Sequence, residues 1–520
     1  MLIRLLFVAL AVLTFVGPLP ARADATSEVK QLFEEDWEFS LKENPTFASF
    51  QGDRRYDANL STVSESDERR RAQKDSEFLE RLRKIDRSAL SPEDQLNYDL
   101  FELEKTNQLA EFEFRAYLMP ITNRSGFHVS FPQLPDRLRF RTVSDYENFI
   151  ARLDGFKPYT EAHIELMQIG IRDGYVLPKI VLVGVEGSIE PHIVKNPRES
   201  LLYKPFEDFP KNFSEQERER LAMEGRRAIA ESVVPSYREF LAFITKDYVP
   251  SARDEIGASA LPNGREFYRH RVKRFTTLDK TPAEIHEIGY AEVKRIRAEM
   301  QEVIEEVEFK GTFPEFVEFL RTDERFYVDD PEQLMKEVAV VLKRMDGELP
   351  GLFGRLPRMS YGIKTVPDYI APKTTTAYYS RPAGDGSRAG YYFVNTYNLP
   401  SRPLYEIEAL SLHEAVPGHH LQIALQQELE DVPNFRRFSG FTAFVEGWAL
   451  YSERLGLEVG FYEDPYSNFG RLTYEMWRAC RLVVDTGLHY MGWTRQQAID
   501  FMAANTALTV HNITTEVDRY

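Results

Sequence analysis

A mainly α-helical fold with one small β element is what this 520-residue chain predicts, and three observations carry that expectation. Apolar residues recur at helical spacing over most of the length, several stretches open on helix-start signals, and β-type patterning is confined to residues 361–397. No internal repeat, low-complexity tract or strong linker divides the chain, so one large helical unit over residues 24–520 is expected, with two lobes around a cleft as a variant. The hydrophobic content of 43% marks a globular protein. Lys and Arg number 65 against 82 Asp and Glu, a net charge of −17 with no basic run to follow a phosphate backbone. Nucleic acid and anionic membrane are therefore excluded as expected partners.

Taken in order, the chain opens with Met1-Leu2-Ile3-Arg4, an apolar run over residues 5–16, and Ala21-Arg22-Ala23 before Asp24. That is the charged, apolar, small-residue order of a secretory signal, so residues 1–23 read as a signal peptide. The run is short for a membrane span, and Gly17, Pro18 and Pro20 break it. Export is expected, and a Gram-negative periplasm fits it. Cys480 is the sole cysteine, so no internal disulfide can form and no thiol near the N-terminus is available to a lipid.

Val29, Leu32, Phe33, Trp37, Phe39 and Leu41 space out a helix that Asn44-Pro45 stops. Residues 64–112 form charged helical segments whose apolar face holds Leu79, Leu82, Ile85 and Leu90. Residues 119–134 loosen into a loop containing His128, and 143–180 return to helix. Ser214 to Glu217 and Thr281-Pro282 to Glu284 are capping boxes. The second opens a helix whose expected buried stripe is Ile285, Ile288, Ile296, Met300 and Val303, and a further helix starts at Asp330-Pro331. Residues 377–379 and 391–396 flank Ala383-Gly384-Asp385-Gly386-Ser387-Arg388-Ala389-Gly390, a hairpin pattern whose strand could pair with an extended peptide.

The chemistry concentrates in Leu412-His413-Glu414-Ala415-Val416-Pro417-Gly418-His419-His420-Leu421-Gln422. Two imidazoles beside a carboxylate are the donor types of a hydrolytic zinc site. In an unbroken helix, at ~100° and ~1.5 Å per residue, His419 would stand on the far side from His413. Pro417 clashes with the carbonyl four residues earlier and Gly418 tolerates unusual dihedrals, so a break is written into the motif. Looping out two residues restores an ordinary i, i+4 relation between His413 and His419, with Glu414 beside them as general base. His420 remains an alternative ligand, about two turns from His413. A third ligand is expected downstream, and Glu446 in Phe441-Thr442-Ala443-Phe444-Val445-Glu446-Gly447-Trp448-Ala449 fits, because an unpartnered carboxylate inside so apolar a run is costly. His286-Glu287 is the internal control: it lacks a histidine four residues on and reads as surface helix.

These residues resemble the bacterial domain-of-unknown-function 885 proteins, whose signature is similar to H-E-x-x-P-G-H-x-x-Q followed by E-G-W-A, seen here at His413 to Gln422 and Glu446 to Ala449. The resemblance implies a large, gluzincin-like metallopeptidase fold with a deep cleft. It favours His419 over His420 beside His413, with Glu446 as third ligand to one zinc ion and Glu414 as base. The stretch Asp385-Gly386-Ser387-Arg388 with Asn395-Thr396 also resembles the family, which makes Arg388 and Asn395 candidates for substrate contact. Members continue past a phrase similar to Glu516-Val517-Asp518-Arg519-Tyr520, so the chain is expected to be truncated there, with Tyr520 as a further contact.

Arg481, Asp485 and His489 stand four apart and share a helix face over residues 471–491. His489 is expected to stabilise an oxyanion, Arg481 to hold a substrate carboxylate, and Asp485 to orient one of them. The expected activity is zinc-dependent hydrolysis of short peptides, of carboxypeptidase or dipeptidyl-carboxypeptidase type. A zinc amidase or other non-peptide hydrolase, and a non-catalytic periplasmic binding protein of the same fold, are the alternatives. The sequence fixes no oligomeric state.

Overall fold

Thr281 and Glu284 exchange hydrogen bonds between side chain and backbone, so the helix Pro282–Glu306 starts where its proline has no N–H to waste. Its buried face is not quite the expected one. Ile285, Val293, Ile296, Met300 and Val303 are buried, but Ile288 is exposed and His286 is buried, its Nδ1 2.7 Å from Thr486 Oγ1. The cause is the neighbouring helix Pro465–Thr486, which packs along this one so closely that a Cβ on Gly289 would lie 2.7 Å from the Val483 side chain. Contact centred on Gly289 turns His286 inward and Ile288 outward, which corrects the reading of His286-Glu287 as a surface pair. Each apolar side chain sealed in this seam contributes roughly 1.5–3 kcal/mol.

This computed structural model describes residues 24–122 and 125–520, and the expected signal segment, residues 1–23, lies outside them. The described chain is mainly helical, with three short strands in one small sheet. Asp24 caps Ala25–Glu43, and Asn44 ends it. Glu65–Leu82 and Pro92–Glu113 follow, then Val143–Asp173, which stops at Gly174 in the left-handed region. The expected loop over 119–134 instead holds the short helical turns Phe127–Ser130 and Phe131–Gln133. Phe127, Val129 and Phe131 drive them into the core, and His128 goes with them, fully buried.

Strands β1 (Tyr361–Thr365), β2 (Ala377–Ser380) and β3 (Gly390–Val394) lie in the order β1-β3-β2. β2 and β3 form the hairpin, Ala377 opposite Val394 and Tyr379 opposite Tyr392, while β1 joins β3 in parallel. β2 is thus an edge. Two large apolar clusters form the core, one drawn from residues 121–252 and one from residues 293–517. No helix among the described residues is long and apolar enough to cross a membrane.

Candidate metal centre

Helix Ile407–Glu414 ends directly after its histidine and glutamate, and His419–Gln427 resumes the helical path. Residues 415–418 make the link: the His420 N–H reaches the Ala415 carbonyl at 2.9 Å, and the Trp448 indole donates to the Pro417 carbonyl at 2.9 Å. Gly418 is required by contact, since a Cβ there would lie 1.9 Å from the carbonyl oxygen of His413. Folding the chain back on itself in this way sets the His413 and His419 rings with centroids 4.7 Å apart.

Helix Thr442–Leu455 brings the carboxylate. Glu446 stands 3.6 Å from His413 Nε2 and 3.8 Å from His419 Nε2, and one donor atom from each of the three residues lies within 4.8 Å of the others. Donor atoms ~2.0–2.1 Å from a tetrahedral zinc stand roughly 3.3–3.4 Å from one another, so small side-chain adjustments suit the set to that ion. The tautomer fits as well. His413 Nδ1 is 2.8 Å from Glu453 Oε1, so its proton points to that carboxylate and the Nε2 lone pair faces the cluster. Burial and the Arg478 charge oppose protonation of His413, but its contacts with Glu446 and Glu453 outweigh them and raise its pKa.

Glu414 is buried beside the cluster. Burial, then the charges of Glu446 and Glu453, push its carboxyl up to about 7 against the pull of His413 and Arg478, a value suited to taking and returning a proton. Burial keeps His419 neutral, its pKa lowered to about 3, while contact with His413 and nearby positive charge hold Glu446 well below the usual carboxylate range despite burial. His420 is not free to ligate with either ring nitrogen: Nδ1 is 2.8 Å from the Tyr379 hydroxyl and Nε2 is 3.0 Å from the Met359 carbonyl.

A cleft of about 740 Å³ contains the cluster. Ser125, Val129 and Gln133 line it from the turns that pack against the first core, β2 adds Ala377, Tyr378 and Tyr379, and Arg478, Arg481 and Arg519 line it as cations. The apolar run around Glu446 is not sealed inside the protein as its composition suggests. Glu446 keeps 47% of its side chain exposed and Phe444 is 57% exposed, because this helix borders the cleft and an adjoining apolar groove.

Several expected contacts go elsewhere. His489 does not line the cleft: Nδ1 accepts from the Ala258 N–H at 3.0 Å and Nε2 lies 3.1 Å from the Tyr520 carbonyl, so both nitrogens fasten other segments. Asn395 is fully buried and donates to the carbonyls of Ala371, Thr374 and Thr375. It supports the segment leading into the strand that borders the cleft and is not among the residues lining that cleft. Arg388 donates to the carbonyls of Ala389 and Arg381 within the hairpin, away from the cleft lining. Tyr520 donates to Glu516 Oε1 at 2.8 Å, the same oxygen that Arg481 Nε reaches at 2.6 Å and Arg519 at 2.8 Å. Arg481 lines the cleft, but with that carboxylate already on it.

Two residues enter that sequence reasoning left without a role. Glu453 is two helical turns after Glu446 on the same face, a spacing that could have flagged it. Arg478 precedes Arg481 by one turn, and its Nη2 lies 3.3 Å from His413 Nε2.

Fold and site together define a class: a mainly helical protein with a cluster of two histidines and a glutamate lining a cleft between two cores. The chain belongs to the family described as "Bacterial protein of unknown function (DUF885)", whose model matches residues 45–520. A crystal structure of a "putative lipoprotein" from Colwellia psychrerythraea superposes with a TM-score of 0.86 at 24% identity, covering 96% of this chain and 89% of that one. A "putative lipoprotein of unknown function" from Shewanella oneidensis gives 0.60 at 16% identity, covering 96% and 90%. Both likenesses concern the fold. No curated protein shows significant similarity to the chain.

Proposed function

We propose that this protein is a zinc-dependent hydrolase of peptide bonds in short peptides, related to the gluzincin-like metallopeptidases. The observation that carries the reading is the convergence of His413, His419 and Glu446 beside a buried Glu414 in an accessible cleft. His413, His419 and Glu446 would hold a zinc ion, which would supply Lewis acidity toward a water and a carbonyl oxygen. Glu453 fixes the His413 ring so that the correct nitrogen faces inward. Glu414 takes a proton from the attacking water and returns it to the leaving amine, a transfer favoured by a carboxyl pKa near neutrality.

A cleft of about 740 Å³ falls within the ~300–1,000 Å³ of sites that enclose small ligands, which favours short peptides over folded proteins. β2 borders that cleft as an edge strand, an arrangement that suits main-chain pairing with an extended peptide. Arg481 and Arg519 share the single carboxylate of Glu516, and the positive charge left over on the cleft lining favours substrates with a free carboxyl end, of carboxypeptidase or dipeptidyl-carboxypeptidase type. Export to a periplasm is supported by the signal-like residues 1–23 and by relatives whose descriptions say lipoprotein.

The test is metal analysis of protein purified without chelator, followed by peptide libraries with free and amidated C-termini. Stoichiometric zinc and turnover that Glu414→Gln abolishes are expected. Zinc far below one per chain, or full turnover by Glu414→Gln, would refute the proposal.

A further inference from the structure

We infer that Arg478 is a catalytic residue that holds the carbonyl oxygen of the bond under attack, an assignment that rests on the hydrolase reading above. Arg478 stands on helix Pro465–Thr486 and lines the cleft together with His413, Glu414, His419 and Glu446. Its Nη2 lies 3.3 Å from His413 Nε2, the nitrogen turned toward the ligand cluster, so the guanidinium stands directly beside that cluster in the cleft lining.

The surroundings of Arg478 differ from those of its neighbours. Arg481 and Arg519 both rest on Glu516, whereas no carboxylate among the described residues forms an ion pair with Arg478. Among the described residues its Nε and Nη1 are buried without hydrogen-bond partners, and the polar contact it makes there is with the histidine ring. A buried guanidinium with unused donors is unfavourable unless a negative charge completes it. Here the reaction itself generates that charge, and a fixed donor is most effective toward charge that develops only in the transition state. His489, the residue sequence reasoning put in this role, has both ring nitrogens occupied elsewhere.

The water oxygen forms a bond to the carbonyl carbon, its proton passes to Glu414, and the carbonyl π electrons move onto the oxygen, where the Arg478 N–H groups meet the negative charge. As the C–N bond breaks, those electrons restore the C=O bond and the proton on Glu414 goes to the amine. Peptide and water become a carboxylic acid and an amine.

The experiment compares wild-type protein with Arg478→Gln and the charge-preserving Arg478→Lys, each assayed for bound zinc. kcat and KM are measured on peptides ending in a free acid or an amide. Affinity for a phosphonamidate peptide, a tetrahedral anion, is measured alongside affinity of the Glu414→Gln background for the matching uncleaved peptide. Arg478→Gln should keep its zinc, lose about 10²–10³ in kcat on both peptide types, and leave KM within threefold. Phosphonamidate affinity should fall by a similar factor while uncleaved-peptide affinity stays, and Arg478→Lys should lie between. An unchanged kcat in both variants would overturn the inference, and so would a loss confined to free-acid peptides, which would make Arg478 a clamp for the terminal carboxylate. Loss of zinc from both variants would also overturn it, in favour of a role in holding the ligands. In each of these cases turnover by wild-type protein leaves the hydrolase reading standing, whereas no turnover by zinc-replete wild-type protein refutes both.

Discussion

Glu453→Ala isolates the support behind the metal ligands. In the native protein Glu453 Oε1 lies 2.8 Å from His413 Nδ1, and the two side chains are 1% and 2% exposed. The substitution leaves a buried N–H unsatisfied at about 1–3 kcal/mol and frees the ring to rotate or to adopt the other tautomer. Losing such a partner lowers metal affinity about 10–100-fold, equivalent to about 1.4–2.7 kcal/mol, so the two routes to the magnitude agree. Zinc affinity is measured by competition with a chromogenic chelator, with circular dichroism confirming that the helices are retained. Glu453→Gln keeps an acceptor without the charge and should fall between wild type and Ala. Zinc affinity within threefold of wild type in a folded Glu453→Ala protein would refute the reasoning.

His419→Gln should lose stoichiometric zinc, whereas His420→Gln should retain it, because both nitrogens of His420 already serve Tyr379 and Met359; metal analysis of the two variants decides. Gly418→Ala brings a methyl to 1.9 Å from the His413 carbonyl and should either lower Tm by many degrees or move His413 and release the metal, checked by thermal melts with and without chelator. Burial lowers the pKa of His128 to about 3 and of His163 and His192 to about 4. All three fold as neutral rings while the unfolded chain takes up protons below about pH 6.5, so their stability contribution is complete above that pH and is lost as the pH falls toward 4. At pH 5 each costs about 2 kcal/mol, and Tm measured from pH 7 to pH 4.5 should decline steeply, less so in His163→Phe.

What the sequence determined by itself was whatever follows from near neighbours along the chain. Thr281 and Glu284, or Ser214 and Glu217, are three residues apart, so their caps are local events that the letters alone predict. Pro417 and Gly418 break the helix for a reason contained within six residues, and that break is what lets His413 and His419 approach each other. The hairpin followed from two β-rich runs around a glycine-rich turn, while the parallel partner β1 did not, since nothing local specifies which strand slides beside β3.

Only the tertiary structure decided which polar side chains have capacity left for chemistry. Asn395 and His489 look available in a sequence, yet backbone groups from other segments occupy them, and Arg388 spends donors on carbonyls of its own hairpin. Arg478 had no role to read from its spacing, yet among the described residues it is the cleft-lining arginine without a carboxylate on it. Whether a side chain is free depends on partners that lie dozens or hundreds of residues away, and helix packing alone sets those distances.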